Sequence, residues 1–570
     1  MGQTLVIAEK PSVAGDIARA LGGFKKDGDF WVSDAMIVGS AVGHLLEIKA
    51  PEEHDVKRGR WSFANLPVLP PHFDLQPIKK SIKKFEGLEK KIRSRSVTDI
   101  INACDAGREG ELIFRYIIQA TGTKKPIRRL WLQSMTKASI QKAFTALRSD
   151  AEMKPLEAAA RSRSEADWLV GINGTRALTA FNSKDGGFFL TTVGRVQTPT
   201  LAIVVAREEE ITHFKPQNYW EVHTTFGAQA GDYDSVWVDA DFKKTKGQSA
   251  ELKPERLWTA AEAQAIVAKC QGKLGIVTDH KRRATSPPAL FDLTSLQREA
   301  NGRFGFPAKM TLAILQRLYE RHKVLTYPRT DSRALPEDYP ETMKETLSHL
   351  QKLEAYNAFA GQILMSGWVK GDNRRIFDNK KISDHFAIVP TGELPKDLEE
   401  TEQKIYDLVV RRTMAAFFPS AVFDVTTRET IVEGEKFVTE GKVLVEPGWM
   451  AVVGRAGRTQ SDLCPITNGE AVQTKNIAAE ADQTRPPARF TDATLLSAME
   501  SAGKKLDADE LRDAMAEKGL GTPATRAQTI EGLIEQKYLR RDGRDLIPNA
   551  KAFQLMQLVR GLKIDALTQP

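Results

Sequence analysis

Short apolar runs in the first part of the chain predict buried strands that alternate with helices. Strands are predicted at residues 4–8 (TLVIA), 99–104 (DIINAC) and 127–132. Helices are predicted from Pro11 to the pair Gly22–Gly23, because Pro favours the start of a helix and Gly its end, and from about Glu109 to Ala120. This repeated order of strand, turn and helix predicts an α/β domain with a parallel sheet over about residues 1–150.

The rest of the chain changes between helical and strand-like periodicity. Helical patterns cover residues 154–213, with breaks near 185–187 and 199, and then residues 290–415 and 492–560. Alternation with period two, which is typical of half-buried strands, covers residues 219–242 and 422–453. Because two strand-rich segments flank a helical middle, the economical interpretation is one β domain that is split by a helical insertion.

Length and composition indicate a globular protein of several domains. A chain of 570 residues exceeds the roughly 250–300 residues at which one hydrophobic core stops growing. Apolar residues make up 41% and charged residues 27%, and no apolar run approaches the ~20 residues that span a bilayer. The N-terminus also lacks the pattern of a secretory signal. We therefore expect a cytoplasmic protein without a membrane segment.

Two kinds of site are excluded by what the sequence lacks. The three cysteines, Cys104, Cys270 and Cys464, lie far apart, so they form neither a CxxC zinc pair nor a disulfide framework. The chain also contains no GxxxxGKS or GxxxxGKT phosphate loop, so nothing in it indicates ATP hydrolysis.

Positive charge is concentrated between residues 57 and 95. The formal net charge of +8 is by itself a weak indication of a polyanionic partner. The basic residues of the cluster are Lys57, Arg58, Arg60, Lys79, Lys80, Lys83, Lys84, Lys90, Lys91, Arg93 and Arg95. They form either a solvated face or a contact with a nucleic-acid backbone. Trp61 lies in the basic run KRGRWSF, and we hypothesise that it stacks on a base of a single strand; a buried ring is an equal alternative.

Acidic residues follow two of the predicted strands directly. Glu9 comes after the first strand, and Asp105 and Glu109 lie in the turn DAGREG after the second. Ligands of an open parallel sheet bind beyond the carboxyl ends of its strands, so these three side chains are expected to converge. Mg²⁺ is held by a few carboxylates and keeps several waters. The pattern therefore predicts a Mg²⁺ site, with surface acids that merely flank two strands as the alternative.

A tyrosine and an arginine stand two positions apart in the segment LTYPRTDSR, residues 325–333. A tyrosine hydroxyl can form a covalent intermediate, but its pKa near 10 makes it a weak nucleophile at neutral pH. The guanidinium of Arg329 can favour the phenolate of Tyr327 and stabilise charge on a phosphate oxygen. Pro328 restricts the backbone between them. Taken alone, the tripeptide is more typical of a packed Tyr before a turn.

Several segments of the chain resemble known families. Glu9 with the DAGREG turn resembles the Toprim domain of topoisomerases, primases and some nucleases. Gly107 stands where that family has a second Asp, which leaves the number of metal ions open, and Glu111 is displaced by one helical step from the position of a replacement. TYPRTDS resembles the active-site segment of type IA topoisomerases, in particular of the topoisomerase III branch. Further segments match that family in order at residues 160–179, 194–201, 383–391 and 519–539.

The resemblance implies roles for individual residues. Tyr327 would attack a DNA phosphate and become linked to its 5′ side, and Arg329 would stabilise that phosphate. Lys10 would help to protonate the departing 3′ oxygen, and Glu9 would lie near that oxygen. Mg²⁺ would be held by Glu9, Asp105 and Glu109, and His385 would assist near the phosphate. Contacts with DNA are expected from Arg195, Val196, Gln197, Thr198 and Pro199, and from Arg163, Asp167, Arg176, Trp61 and Arg526.

The same resemblance implies a multidomain α/β, α and β protein with an N-terminal Toprim domain in a four-domain torus. The domains are expected at residues 1–152 (Toprim), 153–215 plus 485–570 (helical, DNA-binding), 216–285 plus 416–484 (β-rich arch) and 286–415 (helical, carrying Tyr327). The arch would let one domain swing away from another and so open a gate for strand passage.

The implied function is ATP-independent relaxation of negative supercoils and decatenation by a monomer that acts on single-stranded regions of DNA in the nucleoid. Two alternatives explain the sequence less well. A non-catalytic scaffold has no need of Tyr327, Arg329, Lys10 and Glu9 together, and a Toprim primase or nuclease leaves the Tyr327 segment unexplained. The sequence leaves open whether relaxation or decatenation dominates.

Overall fold

The computed structural model of the protein describes residues 2–53, 61–245, 249, 251–286, 288–383, 385–454, 463–502, 519–564 and 567. Within them the helices are α1 (Pro11–Leu21), α2 (Ile82–Arg93), α3 (Arg108–Thr121), α4 (Lys137–Thr145), α5 (Asp150–Asn182), α6 (Gln197–Thr212), α7 (Ala260–Cys270), α8 (Leu293–Phe304), α9 (Ala308–Glu320), α10 (Pro340–Leu350), α11 (Asn357–Met365), α12 (Glu400–Phe417), α13 (Asp492–Glu500), α14 (Pro523–Glu535) and α15 (Ala550–Gly561).

The strands of the described residues are β1 (Gln3–Ala8), β2 (Lys25–Asp27), β3 (Phe30–Val32), β4 (Met36–Ser40), β5 (Leu46–Ile48), β6 (Leu75–Pro77), β7 (Val97–Ala103), β8 (Ile127–Arg129), β9 (Arg148–Ser149), β10 (Asn218–Ala228), β11 (Gly231–Val238), β12 (Leu274–Ser286), β13 (Ala421–Val432), β14 (Glu435–Glu446), β15 (Ala471–Gln483), β16 (Phe490–Thr491), β17 (Leu539–Asp542) and β18 (Asp545–Pro548).

A seven-stranded sheet forms the centre of the first domain, with the strand order β2-β3-β4-β1-β7-β8-β9. Its central strands β4, β1, β7 and β8 run parallel, while β2, β3 and β9 pair antiparallel at the edges. Leu5 and Ile7 pack into one core and Val6 and Ala8 into another, because successive side chains of a strand point to opposite faces. The predicted strands at 4–8 and 99–104 and the parallel arrangement are therefore confirmed.

Helices of the first domain begin and end where backbone chemistry requires it. Pro11 opens α1, and Gly22 ends it with a φ of 75° that favours glycine. Gly107 is the extended residue before α3, which ends at Gly122 in the left-handed region. The predicted third strand is shorter than expected: after Arg129 the chain leaves the sheet, so β8 does not reach residue 132.

The strands β10 to β15 close into an antiparallel barrel in the order β10-β11-β14-β13-β12-β15. Alternate side chains, among them Val222, Phe226 and Phe437, fill its interior. In the chain, α8 to α12 lie between β12 and β13 and surround a core of their own. A further core joins α5 and α6 to α13, α14 and α15. The exact domain boundaries expected from the sequence stay a prediction.

Two segments differ from the predicted secondary structure. The helical pattern over 154–213 is two helices, because the chain between α5 and α6 turns at Gly186 and Gly187, both with positive φ, while Pro199 sits in the first turn of α6. The helical prediction for 492–560 is wrong at β17 and β18, which form a hairpin around Gly543. The Asp-Gly pair at this turn is a hairpin signal that the sequence already carried.

Candidate active site

The ends of β1 and β7 bring acidic residues together. Ala8 is paired with Ala103, so the residues that follow the two strands emerge at one edge of the sheet. Lys10 Nζ lies 2.6 Å from Oδ2 of Asp105 and 3.6 Å from Oε1 of Glu9. The first domain therefore presents two carboxylates and one ammonium group as a single cluster, at the place where open α/β sheets bind ligands.

The turn that carries Asp105 is fixed by its surroundings. The Gly107 N–H donates to the Asp105 carbonyl at 2.8 Å. A Cβ at Gly110 would lie 2.3 Å from that same carbonyl oxygen, so only glycine allows α3 to pass this close. The guanidinium of Arg129, 1% exposed, donates to the carbonyls of Cys104 at 2.7 Å and Asp105 at 2.6 Å. These contacts thus hold the backbone of Asp105, from which its carboxylate extends, in one position.

Glu111 takes no part in this cluster. It is fully buried on the inner side of α3, where its carboxylate accepts from Asn102 Nδ2 at 2.9 Å and from Arg115 Nε at 2.7 Å. Its charge is neutralised within the domain core, in agreement with the expectation that Glu111 does not replace the missing Asp at position 107.

Tyr327 reaches the cluster from the helical region between β12 and β13. Its segment is held beside the segment of His385: the Thr326 N–H donates to the Val389 carbonyl at 3.0 Å, and Thr330 Oγ1 donates to the His385 carbonyl at 2.7 Å. These bonds place the two aromatic rings next to each other, with centroids 4.3 Å apart.

Two of the groups that lie against the Tyr327 ring, Lys10 and His385, also contact Asp105. Lys10 Nζ lies 3.8 Å from the centroid of the Tyr327 ring, and His385 Nε2 lies 2.9 Å from Oδ2 of Asp105. On another side the ring of Tyr319, from α9, packs edge-on at 5.4 Å. The phenol and the acidic strand ends therefore lie together, in agreement with the roles that the family resemblance implies.

The electrostatics of the pocket separate its two carboxylates. Burial and the charge of Asp105 raise the pKa of Glu9 above its usual value. Burial alone would also raise the pKa of Asp105, but the hydrogen bond and charge of His385, together with Lys10, hold it well below its usual value. Burial opposes the charge of Lys10, yet the two carboxylates raise the pKa of Lys10.

Burial also raises the pKa of the Tyr327 hydroxyl, and the positive charge of Lys10 offsets only part of this. The phenol is therefore protonated at neutral pH and would have to lose its proton to act as a nucleophile. Arg329 is exposed beside it, and its charge likewise favours the phenolate.

Glu109 is not brought into the cluster. Its carboxylate lies 2.5 Å from His44 Nε2, and this hydrogen bond lowers the pKa of Glu109. Across the described ranges, no group of three or more His, Cys, Asp or Glu side chains is arranged to hold a metal ion. Of the three predicted ligands, Glu9 and Asp105 present their carboxylates together, and these hard oxygen donors suit Mg²⁺, which takes one or two carboxylates and keeps waters.

The residues expected to contact DNA divide into exposed and buried groups. Arg195 is exposed and lies 3.0 Å from Asp167, which is 3.9 Å from Arg163, so these three form a charged surface on α5 and the turn before α6. Thr198 and Pro199 are buried in the first turn of α6. Their side chains pack inside the protein, and direct contact of these two residues with DNA stays a prediction.

Gln197 and Val196 link this turn to the C-terminal part of the chain. Gln197 Nε2 donates to Gln536 at 2.7 Å and to Thr192 at 3.2 Å. Val196 contacts the position of Gly521, where a Cβ would lie 3.2 Å away. Both side chains are half-buried, so they order the turn that presents Arg195.

Arg176 and Arg526 are less accessible than expected. Arg526 is 3% exposed, and its guanidinium donates to the Leu520 carbonyl at 3.0 Å and to Thr294 at 3.2 Å. Arg176 forms an ion pair with Glu52 and lies over the Trp61 ring at 5.2 Å. Neighbouring protein groups contact both guanidinium groups, and the expectation that they line a groove for DNA stays a prediction.

Contacts between the two halves of the pocket extend beyond it. Gln133 Nε2 donates to the Ile382 carbonyl at 2.7 Å. The Asp338 carboxylate accepts from hydroxyls at the start of α4, at distances of 3.3, 2.8 and 2.5 Å for Ser134, Thr136 and Ser139. Four residues of this region were not predicted from the sequence: Asp338, Arg129, His44 and Tyr319. The run S-M-T-K-A-S, dense in hydroxyls at a helix start, was a signal for the Asp338 contact alone.

Comparisons with known proteins define the class of this site. The Toprim domain family matches residues 4–135, and the family described as DNA topoisomerase matches residues 151–570. A solved structure of full-length topoisomerase I from Thermotoga maritima has the same fold, with a TM-score of 0.64 and 22% identity over 99% of this chain and 84% of that chain. The chain therefore belongs to the DNA topoisomerase family, with an N-terminal Toprim domain, which is a metal-binding fold.

Relatives narrow this class to one branch. DNA topoisomerase 3 of Bacillus subtilis is 38% identical and that of Bacillus licheniformis 39% identical, in each case over 100% of this chain and 77% of the relative. The predicted type IA topoisomerase III assignment and the predicted fold class are confirmed, and DNA is the substrate. Within the described part of the chain, no helix has both the length and the apolar character to cross a membrane.

Proposed function

We propose that this topoisomerase cuts one DNA strand by attack of the Tyr327 hydroxyl on a backbone phosphate. A bond forms between the phenolic oxygen and phosphorus, and the bond from phosphorus to the 3′ oxygen breaks. The phenol loses a proton and the departing 3′ oxygen gains one. The protein is left attached to the 5′ phosphate, and the reverse reaction rejoins the strand. Because one phosphate ester replaces another, neither step needs ATP.

The observation that carries this proposal is the position of the Tyr327 ring against Lys10 and His385. Lys10 Nζ lies 3.8 Å from the centroid of the Tyr327 ring, and the His385 ring centroid lies 4.3 Å from it. Lys10 and His385 both also contact Asp105, although the tyrosine comes from another part of the chain. A packed structural tyrosine needs no buried ammonium, imidazole and carboxylate around it. A nucleophile that meets a phosphate does.

Lys10 is the group that gives a proton to the 3′ oxygen. Its carboxylate neighbours keep it charged, and an alkoxide is a far stronger base than an amine, so the transfer is favourable despite the raised pKa of Lys10. Glu9 lies 3.6 Å from the Lys10 Nζ, and because the pKa of Glu9 is raised, its carboxyl group can also hold a proton near the 3′ oxygen. Arg329 binds the phosphate from the exposed side of Tyr327, and His385 orients the phenol and Asp105.

Glu9 and Asp105 would hold Mg²⁺, with Glu109 as a further acid at the edge of the site. A bound divalent ion supplies positive charge to phosphate oxygens of the substrate. Lys10 already neutralises the same two carboxylates, so it keeps them close together for the ion. Gly107 contributes no ligand side chain, and we propose a single ion.

The DNA strand would enter along the charged surface formed by Arg163, Asp167 and Arg195. The substrates would be negatively supercoiled or catenated duplexes, since these offer the unpaired regions in which one strand can reach Tyr327. We propose that a monomer acts in this way on the DNA of the nucleoid. The barrel would serve as the arch, so that the region carrying Tyr327 swings from the Toprim domain and another strand passes.

A plasmid relaxation assay tests the reaction. Wild-type protein is expected to relax negatively supercoiled plasmid with Mg²⁺ and to lose activity in chelator. Tyr327→Phe removes the nucleophile and should abolish relaxation while single-strand binding stays intact. Tyr319→Phe is the matched control, since it removes a neighbouring hydroxyl and keeps the ring, and it should remain active.

The end of the DNA that stays attached decides the class of the reaction. When the strand is labelled on the 5′ side of the break, the labelled fragment should be released and should end in a 3′ hydroxyl. The other fragment should migrate with the protein. Relaxation by Tyr327→Phe, or attachment through a 3′ phosphate, would overturn the mechanism.

A further inference from the structure

The loop between α5 and α6 presents two phenylalanine rings to solvent. Phe188 is 65% and Phe189 is 60% exposed. The backbone beneath them is nevertheless anchored: the Phe189 N–H donates to Ser183 Oγ at 2.9 Å, and the Thr191 N–H donates to Thr179 Oγ1 at 3.0 Å. The rings are therefore held outward by a fixed loop.

Trp61 supports one of these rings from the first domain. Its indole meets Phe188 edge-on, with centroids 5.6 Å apart and planes 67° apart. Arg176 lies over the same indole, so Trp61 is only half-exposed, and its ring is already in contact with Arg176 and Phe188. Trp61 thus orients Phe188, while the freely accessible faces belong to the loop.

Exposed phenylalanines are concentrated in this place. In the part of the chain that the structure describes, every strongly exposed phenylalanine lies in residues 61–69 or 181–190: Phe63, Phe181, Phe188 and Phe189. Apolar groups that gather at a surface rather than scatter over it mark a binding site. Cations lie near these rings, since Lys184 is 5.2 Å from the Phe181 ring and the exposed Arg195 follows the loop in the chain.

We propose that Phe188 and Phe189 form a stacking site for unpaired bases of a DNA strand, with Trp61 as the support of Phe188. The inference deepens the proposed function and rests on it. The loop runs directly into the turn that carries Arg195, and Thr192, at the end of the loop, shares Gln536 with Gln197. Bases stacked here would lie on the strand whose backbone meets the charged surface of Arg163, Asp167 and Arg195.

The chemistry fits a single strand of any sequence. Each base has a flat face that stacks on an aromatic ring, so two adjacent rings bind successive bases without reading them. Neighbouring cations favour a polyanion over an apolar protein partner. A duplex hides its base faces, so this site discriminates between paired and unpaired DNA.

Salt dependence separates stacking from charge. Binding of a labelled oligothymidylate is measured by fluorescence anisotropy over a series of salt concentrations, with every variant built on Tyr327→Phe so that no strand is cut. Loss of a stacked ring weakens binding by about 5- to 150-fold per base. The double variant Phe188→Ala, Phe189→Ala removes two rings and should therefore lose at least about 25-fold, the product of two losses at the lower end, at every salt concentration, with the slope against salt unchanged.

Controls distinguish a flat ring from an apolar surface. Replacement of both residues with Trp should retain affinity, whereas replacement with Leu should lose most of it. Met365→Ala, which removes an 86% exposed apolar side chain on α11, should bind as the parent does. Because both phenylalanines are exposed, the alanine variants should keep the thermal stability of the parent.

Three results would overturn the inference: wild-type affinity in the double alanine variant, full affinity in the leucine variant, or a changed salt slope. The proposed function fails separately, by the absence of a covalent adduct in protein that retains Tyr327. Oligothymidylate binding that depends on the rings in a protein without such an adduct would leave the stacking site standing and refute the cleavage mechanism.

Discussion

Replacement of Lys10 with methionine tests the proton transfer directly, because methionine keeps much of the side-chain volume and removes the charge. Lys10 Nζ is 2.6 Å from Asp105 and 3.8 Å from the Tyr327 ring, so the ammonium stands beside both the acidic cluster and the nucleophile. A positioned general acid contributes about 10²–10⁴-fold in rate. This corresponds to about 3–5 kcal/mol of the activation barrier. Lys10→Met should slow cleavage of a single-stranded oligonucleotide by that factor.

A substrate with sulfur in place of the bridging 3′ oxygen separates protonation from positioning. A thiol has a pKa of about 8.5, far below that of an alcohol, so a thiolate departs without a proton. Lys10→Met should therefore form the covalent adduct with the sulfur substrate at nearly the wild-type rate. Tyr327→Phe should form it with neither substrate, and adduct formation is followed by denaturing gel electrophoresis.

Equal impairment of Lys10→Met on the oxygen and sulfur substrates would refute the role of Lys10 as an acid. Its role would then be to hold Asp105 in place through the 2.6 Å ion pair. Lys10→Arg is the matched control, since it keeps the charge next to Asp105 but holds its proton more tightly. It should retain DNA binding and show the same sulfur rescue.

Three further changes test other parts of the structure. Gly110→Ala places a Cβ 2.3 Å from the Asp105 carbonyl and should reduce cleavage at least about tenfold without loss of DNA binding, while Gly87→Ala, with nothing within 4 Å, should stay active; equal activity of both would contradict the close approach. Asp338→Ala removes the acceptor of three hydroxyls and should increase the separation of dyes on the two domains, measured by energy transfer; an unchanged signal would show that other contacts suffice. Glu9 has a raised pKa, so its charge destabilises the fold above that pKa. Glu9→Gln in chelator should raise the melting temperature at neutral pH, and the gain should vanish as the pH falls below about 4.3, the usual carboxyl pKa; a gain that is independent of pH would contradict this.

The acidic half of the site could be predicted from the sequence because its geometry follows from a local rule. Two buried strands with acids directly behind them must deliver those acids to one edge when the strands are parallel neighbours, as β1 and β7 are. Glu9 and Asp105 follow that rule. The meeting of Tyr327 with this edge depends on packing between distant segments, which no local pattern contains, and it was reached only through the family resemblance.

Side-chain direction is where the sequence was least informative. Glu109 stands at the start of α3, yet it turns to His44, a residue that no spacing connects to it. Arg526 has a helical position compatible with a surface, but its guanidinium is buried and donates to the Leu520 carbonyl and to Thr294. In both cases a partner from elsewhere in the fold decides the outcome. The hairpin at Gly543 is different, because its Asp-Gly turn is a signal present in the sequence. The helical pattern of the residues around it led instead to the prediction of a helix.

Asp105 has one neighbour from each side of the domain contact: Lys10 from its own domain and His385 from the region of Tyr327. Any separation of the two regions strips the imidazole and the phenol from Asp105 but leaves the ammonium behind. Asp105, Lys10, His385 and Tyr327 are thus together only while the two regions are in contact. Under the proposed mechanism, a broken strand held on Tyr327 would be chemically inert in the open state and protected from premature release until the two halves meet again.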